Sequence, residues 1–156
     1  MEKAENSGIN LSSLLKTYFG DERELSISKF LSENKFVSVK GLAGSSASVI
    51  IRAVAENRHG VHLIILQDKE QAAYLLNDLE TLAGRDLKSR PTSVLFFPSS
   101  FKKPFNLEDS DTSSIQLRAE ILNTLRSSSL VPHPSPFFLV TYPEAIAEKV
   151  ISKEHL

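Results

Sequence analysis

This sequence predicts an α/β fold, a three-layer sandwich with helices on both faces of a mainly parallel sheet, and three observations predict it. Runs of β-branched and aromatic residues recur at 36–40, 61–66, 93–97 and 137–141. Segments of helical spacing lie between them, long enough to cross over between parallel strands with the usual right-handed sense. The run Val61-His62-Leu63-Ile64-Ile65-Leu66 is too apolar for a half-exposed edge and reads as an inner strand.

The first element is a helix over 9–19, with Ile9, Leu11, Leu14, Leu15, Tyr18 and Phe19 at helical spacing and Gly20-Asp21 as its stop. A shorter helix carries Leu25, Ile27, Phe30 and Leu31 and ends at Ser32-Glu33-Asn34-Lys35. Residues 1–35 thus read as a helical lead-in to an α/β unit over 36–156. That unit opens with a strand, Phe36-Val37-Ser38-Val39-Lys40, then a glycine turn, then a helix from Ser46 to about Asn57 with Val49, Ile50, Ala53 and Val54 on one face. Arg58-His59-Gly60 ends this helix before the second strand.

Asp68 stands three residues before Gln71, a capping-box spacing that opens a helix striped by Ala72, Leu75, Leu76, Leu79 and Leu82 and stopped by Gly84. Ser93-Val94-Leu95-Phe96-Phe97 is the third strand, ended by Pro98. The stretch 97–111 lacks a period and reads as a long loop over the sheet end. A helix over 112–126 sets Ile115, Arg118, Leu122 and Leu125 on one face, with Arg118 inside an apolar stripe. Residues 127–136 form a Ser- and Pro-rich connection. Phe137–Thr141 is the fourth strand, and Pro143 opens a last helix over 143–151.

The chain of 156 residues is 41% hydrophobic, enough for one core, and its net charge of -1 supplies no field that would recruit nucleic acid or an anionic membrane. Without cysteine there are no disulfides, thiolate metal sites or cysteine nucleophiles. The polar, acidic start and the lack of a membrane-length apolar run point to a cytoplasmic location and no membrane partner.

The glycine turn carries the most chemistry. A phosphate-binding loop reads G-x-x-x-x-G-K-[ST], its backbone N–H groups cradling phosphates, its lysine neutralising them and its hydroxyl reaching magnesium. Over Gly41-Leu42-Ala43-Gly44-Ser45-Ser46-Ala47-Ser48, Gly41 keeps the first glycine and Ser48 the hydroxyl, while Ser46 replaces the second glycine and Ala47 the lysine. An alanine methyl offsets no triphosphate charge, so the stretch reads as a degenerate loop of the P-loop NTPase type, with no catalytic residue and no cofactor of its own. The helix start leaves only a generic anion site. An enzyme-class alternative supplies the missing cation from Lys40 or Arg118; a third reading binds DNA through Lys102 and Lys103, with Arg85, Lys88 and Arg90 nearby.

Other constellations have plainer readings. His59 and His62 lack a third ligand, so no metal site is expected. The serines of the turn have no nucleophile elbow and read as helix caps. Phe101, Phe105 and Tyr142 read as aromatic seals on the core rather than base-stacking platforms. Arg118 reads as a buried arginine paired with Asp111 or Asp68, or else as an interdomain or partner contact together with Lys102, Lys103 and Tyr142.

Taken in order, the glycine turn, Phe96-Phe97-Pro98 with Pro104-Phe105, Ser110-Asp111-Thr112 with Arg118, and Val140-Thr141-Tyr142-Pro143-Glu144-Ala145-Ile146 resemble one family. It is the bacterial transcription-repair coupling factor (Mfd) family, in its N-terminal module, which is similar to the first domain (1a) of UvrB. The resemblance spans about 36–150. UvrB carries G-x-x-G-S-G-K-T where this chain has 41–48, and a tyrosine-rich DNA-inserting hairpin where 97–111 is shorter and has no tyrosine.

The resemblance implies a fragment of a multidomain, ATP-driven DNA translocase that displaces stalled RNA polymerase and recruits nucleotide excision repair through UvrA. ATP and magnesium would then belong to the parent's motor domains, and RNA polymerase, UvrA and DNA would be partners of the parent. The implied role of this piece is non-catalytic, an interaction and scaffolding domain that positions the parent's other domains.

Overall fold

A computed structural model describes residues 11–33, 36–56, 58, 60–83, 93–101, 111–128 and 136–150. The described elements run α1 (Leu11–Tyr18), α2 (Glu22–Glu33), α3 (Ser46–Glu56), β1 (Gly60–Ile65), α4 (Lys69–Ala83), β2 (Ser93–Phe96), α5 (Thr112–Ser128), β3 (Pro136–Thr141) and α6 (Pro143–Ala147). The fold is mixed α/β around one all-parallel sheet of three strands in the order β1-β3-β2.

The two strands after β1 follow one rule of parallel sheets. The chain leaves β1, passes over β3 to reach β2, and returns to pair with β3, so β3 is central and its six residues are all buried. Alternate residues of β3 feed two cores. Phe138 and Val140 meet Ala72, Leu75 and Leu79 of α4 on one face, while Phe137 and Leu139 meet Ile121 of α5 on the other. Opposite moves along the sheet put α4 and α5 on opposite faces, as right-handed crossovers require.

Helix starts follow local chemistry. Asp68 accepts the Gln71 N–H at 2.8 Å and opens α4 as the capping spacing anticipates. Asp111 accepts the Ser113 N–H at 3.2 Å and both the Ser113 and Ser114 hydroxyls, opening α5. These hydroxyls, Ser113's first, hold the Asp111 carboxyl below its ordinary value. Pro143 sits in the first turn of α6, where its missing N–H costs nothing.

Four expectations are corrected. Phe36–Lys40 forms no strand: the segment is irregular and Phe36 is 81% exposed. A strand-like composition becomes a strand only where a neighbour accepts its hydrogen bonds, and no described strand pairs with this one. Second, β1 is an edge strand; its residues alternate half-buried and exposed. Third, on α5 the inward stripe is Ser114, Arg118 and Ile121 with Leu125, and Ile115 is exposed. On α2, Leu25 and Phe30 face outward and Glu24 is buried, its carboxylate accepting the Gly20 N–H and the Ser28 hydroxyl. Fourth, helix α6 is shorter than the anticipated 143–151, ending at Ala147.

The N-terminal helices pack on α3 rather than trailing from it. Leu15 of α1 joins Val49 and Leu82 in a third small core, with Tyr18 and Phe19 against it. Arg58, just past α3, donates to the Ser28 carbonyl at 2.9 Å. The expected turns at 84–92, most of the 97–111 loop and the connection at 129–135 lie outside the described residues.

Candidate functional site

The glycine turn closes on itself. The Ala43 N–H donates to the Ser46 hydroxyl oxygen at 2.8 Å, and the Ser46 N–H donates back to the Ala43 carbonyl at 3.2 Å. Gly41 and Gly44 hold φ of +84° and +55°, backbone values that a Cβ disfavours, so the turn requires glycine at both. The residue in the lysine position, Ala47, is half-buried, and the 41–45 backbone around it is exposed.

Ser48, which keeps the hydroxyl position, points inward. It is 1% exposed and donates to Asp78 of α4 at 2.8 Å. Its hydroxyl thus ties the first turn of α3 to the middle of α4 and leaves no oxygen facing a ligand at the loop. One turn later Arg52, also buried, pairs with Glu56 and lies 5.8 Å from the Phe19 ring centroid. The Arg52 Nε is buried without a hydrogen-bond partner. The α3 start is built as a structural joint among α1, α3 and α4.

A second cluster gathers at the carboxyl ends of the strands, where α/β sheets place ligands. Arg118 is 5% exposed, stacks over Phe97 at 4.2 Å, and donates from Nη1 to the carbonyls of Pro98 at 2.7 Å and Ala145 at 3.0 Å. Its carboxylate partner is Glu148 at 3.6 Å, not Asp111 or Asp68. Glu148 in turn accepts from the Ser100 N–H at 2.8 Å and from the Ser99 and Ser100 hydroxyls. Burial alone would raise the Glu148 carboxyl; the Ser100 bonds, the Arg118 charge and the Ser99 bond together hold it below its ordinary value. Burial pushes the Arg118 guanidinium down, against the attraction of Glu148.

Tyr142 belongs to the same lock. It is 4% exposed, stacks on Phe96 and accepts the Ser99 N–H at 2.9 Å. Burial raises its phenol. Arg118 and Tyr142 are therefore interior ties, not surface contacts, and Arg118 has no cation to lend the glycine turn. Lys102 and Lys103 lie outside the described residues, as do Phe105, Arg85, Lys88, Arg90 and His59. His62 directs Nε2 to the Arg58 carbonyl at 3.0 Å and packs on the Phe138 ring.

Beside the Arg118 lock runs a groove of about 220 Å³ between α5 and the 148–150 segment, walled by Ile115, Ala119, Leu122 and Val150. Glu148 and Asp78, the two carboxylates that organise these clusters, carried no sequence signal: each bonds across 30 residues or more. Among the described residues no group of three or more His, Asp or Glu could hold a metal ion, and no helix is long and apolar enough to cross a membrane. Comparison with protein-family models, with curated proteins and with solved structures finds no match.

Proposed function

We propose that this chain is a non-catalytic interaction and scaffolding domain, a degenerate P-loop-like α/β unit that neither binds nor turns over ATP. The inward Ser48 carries this reading. A phosphate loop needs its lysine and its metal-facing hydroxyl together; here the lysine position is Ala47 and the hydroxyl is bonded to Asp78 inside the fold. The self-closure of Ala43 and Ser46 adds that the turn has its own acceptor and donor in place of a phosphate.

The order of motifs that resembles the N-terminal module of the transcription-repair coupling factors supplies the setting. In that setting the domain's work is to hold and position other domains of a DNA translocase whose motor, and whose contacts with RNA polymerase, UvrA and DNA, lie elsewhere. A magnesium-dependent ATP turnover assay on this chain tests the catalytic half of the reading. Phosphate release indistinguishable from buffer is the expected result, and turnover abolished by Ser48→Ala would overturn it.

A further inference from the structure

Three parts of the chain meet around one carboxylate. Glu148, the first residue past α6, sets Oε2 against the Ser100 N–H at 2.8 Å and the Ser99 hydroxyl at 3.2 Å. Its Oε1 accepts from the Ser100 hydroxyl and faces Arg118 Nε at 3.6 Å. The Ser100 carbonyl in turn accepts the Asp111 N–H at 2.8 Å, and the Asp111 side chain opens α5. Arg118, on the same helix, donates to the Glu148 carbonyl at 3.5 Å. The bonds thus close a ring that runs from the end of β2 to the start of α5, along α5, and through the segment after α6 back to Ser100.

The ring has a firm side and a loose side. Arg118 is held independently of Glu148, by the carbonyls of Pro98 and Ala145 and by the Phe97 ring. Ser99 is held through its N–H by the Tyr142 hydroxyl. Ser100 lies one residue beyond these ties, and its N–H and hydroxyl go to Glu148 while its carbonyl goes to Asp111. The apolar grip on the other end is small, because Ala145 is the buried residue of α6 and Lys149 and Val150 are exposed. A five-residue helix holds too few internal bonds to persist alone. Segment 148–150 therefore rests on directional polar bonds that share one carboxylate, and a displaced carboxylate gives them up together.

We infer that this ring is a polar latch, a conformational device in which Glu148, Ser100 and Asp111 let go as one unit while the sheet and the Arg118 bonds to Pro98 and Ala145 stay in place. Closed, it fixes segment 148–150 to the end of β2 and the start of α5. Open, it frees that segment without unfolding the cores, as cooperative sub-global openings do. Its input is the chain that continues past Val150, since a displacement of that chain acts on Glu148 before it reaches the Ala145 tie to Arg118. The inference rests on the interaction-domain reading and adds a means to it: a domain that positions its neighbours needs a fixed mount, and the latch makes that mount conditional.

Amide hydrogen exchange on the whole 156-residue chain tests this. Ser100 and Asp111 are the reporters; Phe97, which donates to the Val140 carbonyl, and Leu66, which donates to that of Thr141, are the internal controls. In urea below the unfolding transition, Ser100 and Asp111 should follow one shared opening curve of shallow slope, apart from the steeper curve of Phe97 and Leu66. Glu148→Ala should speed Ser100 and Asp111 by one common factor of at least ten. Exchange of all four amides through a single opening in the parent overturns the latch, and so does a Ser100 that quickens in the variant while Asp111 does not. If the variant fails to fold, the parent curves decide alone.

A second readout follows the segment itself. The chain has no cysteine, so Asn77→Cys on α4 and Lys149→Cys, both at exposed positions, carry one pair of nitroxide labels. A single narrow distance distribution is expected in the parent, broadened by Glu148→Ala. A broad distribution in the parent, or one that Glu148→Ala leaves unchanged, overturns the proposal. ATP turnover would overturn the scaffolding reading without altering these readouts, so the two failures are distinguishable.

Discussion

At the scale of single residues, the polar side chains at the glycine turn and the strand ends serve the fold. Ser48→Ala should destabilise the chain by about 1–2 kcal/mol in urea denaturation, because Asp78 loses its donor in a half-buried position. Glu148→Gln should cost about 2 kcal/mol at neutral pH, because it removes the charge facing Arg118 and replaces one of the two acceptor oxygens shared by Ser99, Ser100 and Arg118 with an NH2 donor. The folded Glu148 carboxyl lies below its ordinary value of 4.5, so its contribution is complete above that pH and is lost as pH falls through the lower folded value. Melts of parent and variant should accordingly differ most at neutral pH and converge in acid; a constant gap would contradict the assignment. The oddity of Arg118 in an apolar stripe was legible in the sequence. Its partner was not, since Glu148 is thirty residues away and reaches Arg118 only after β3 and α6 are in place.

Among the elements, β1 and β3 offer a controlled comparison, because Leu63 and Leu139 pair across the sheet on the same face. Leu139→Ala should cost about 2–4 kcal/mol as it empties a site sealed by α5, whereas Leu63→Ala should cost well under about 1 kcal/mol. Similar losses at the two positions would mean that β1 is covered in solution. The three strands that pair were legible from their β-branched and aromatic runs, and α4 from its apolar stripe and its Asp68 cap. Phe36–Lys40 misled because its composition equals theirs; what it lacks is a neighbour, and a neighbour is a property of topology rather than of the segment. The edge position of β1 escaped for the same reason. Its apolar run does not tell whether the cover comes from this chain or from a partner.

For the whole molecule, a parallel sheet with helices on both faces puts the Arg118–Glu148 cluster where α/β proteins put ligands, yet that cluster and the glycine turn are both internally bonded. The turn at 41–48 has glycine at the two positions where φ is positive, and alanine where a phosphate loop has its lysine. The alanine at 47 was legible in the sequence, while the inward turn of Ser48 required the fold, because Asp78 arrives on α4 from thirty residues away. Restoring the lysine alone should therefore not restore the site. The most direct measurement is a calorimetric titration of the chain and of its Ala47→Lys variant with magnesium-ATP. No saturable heat from either is the expected result, and saturable binding by the native chain would contradict the proposed non-catalytic scaffold role.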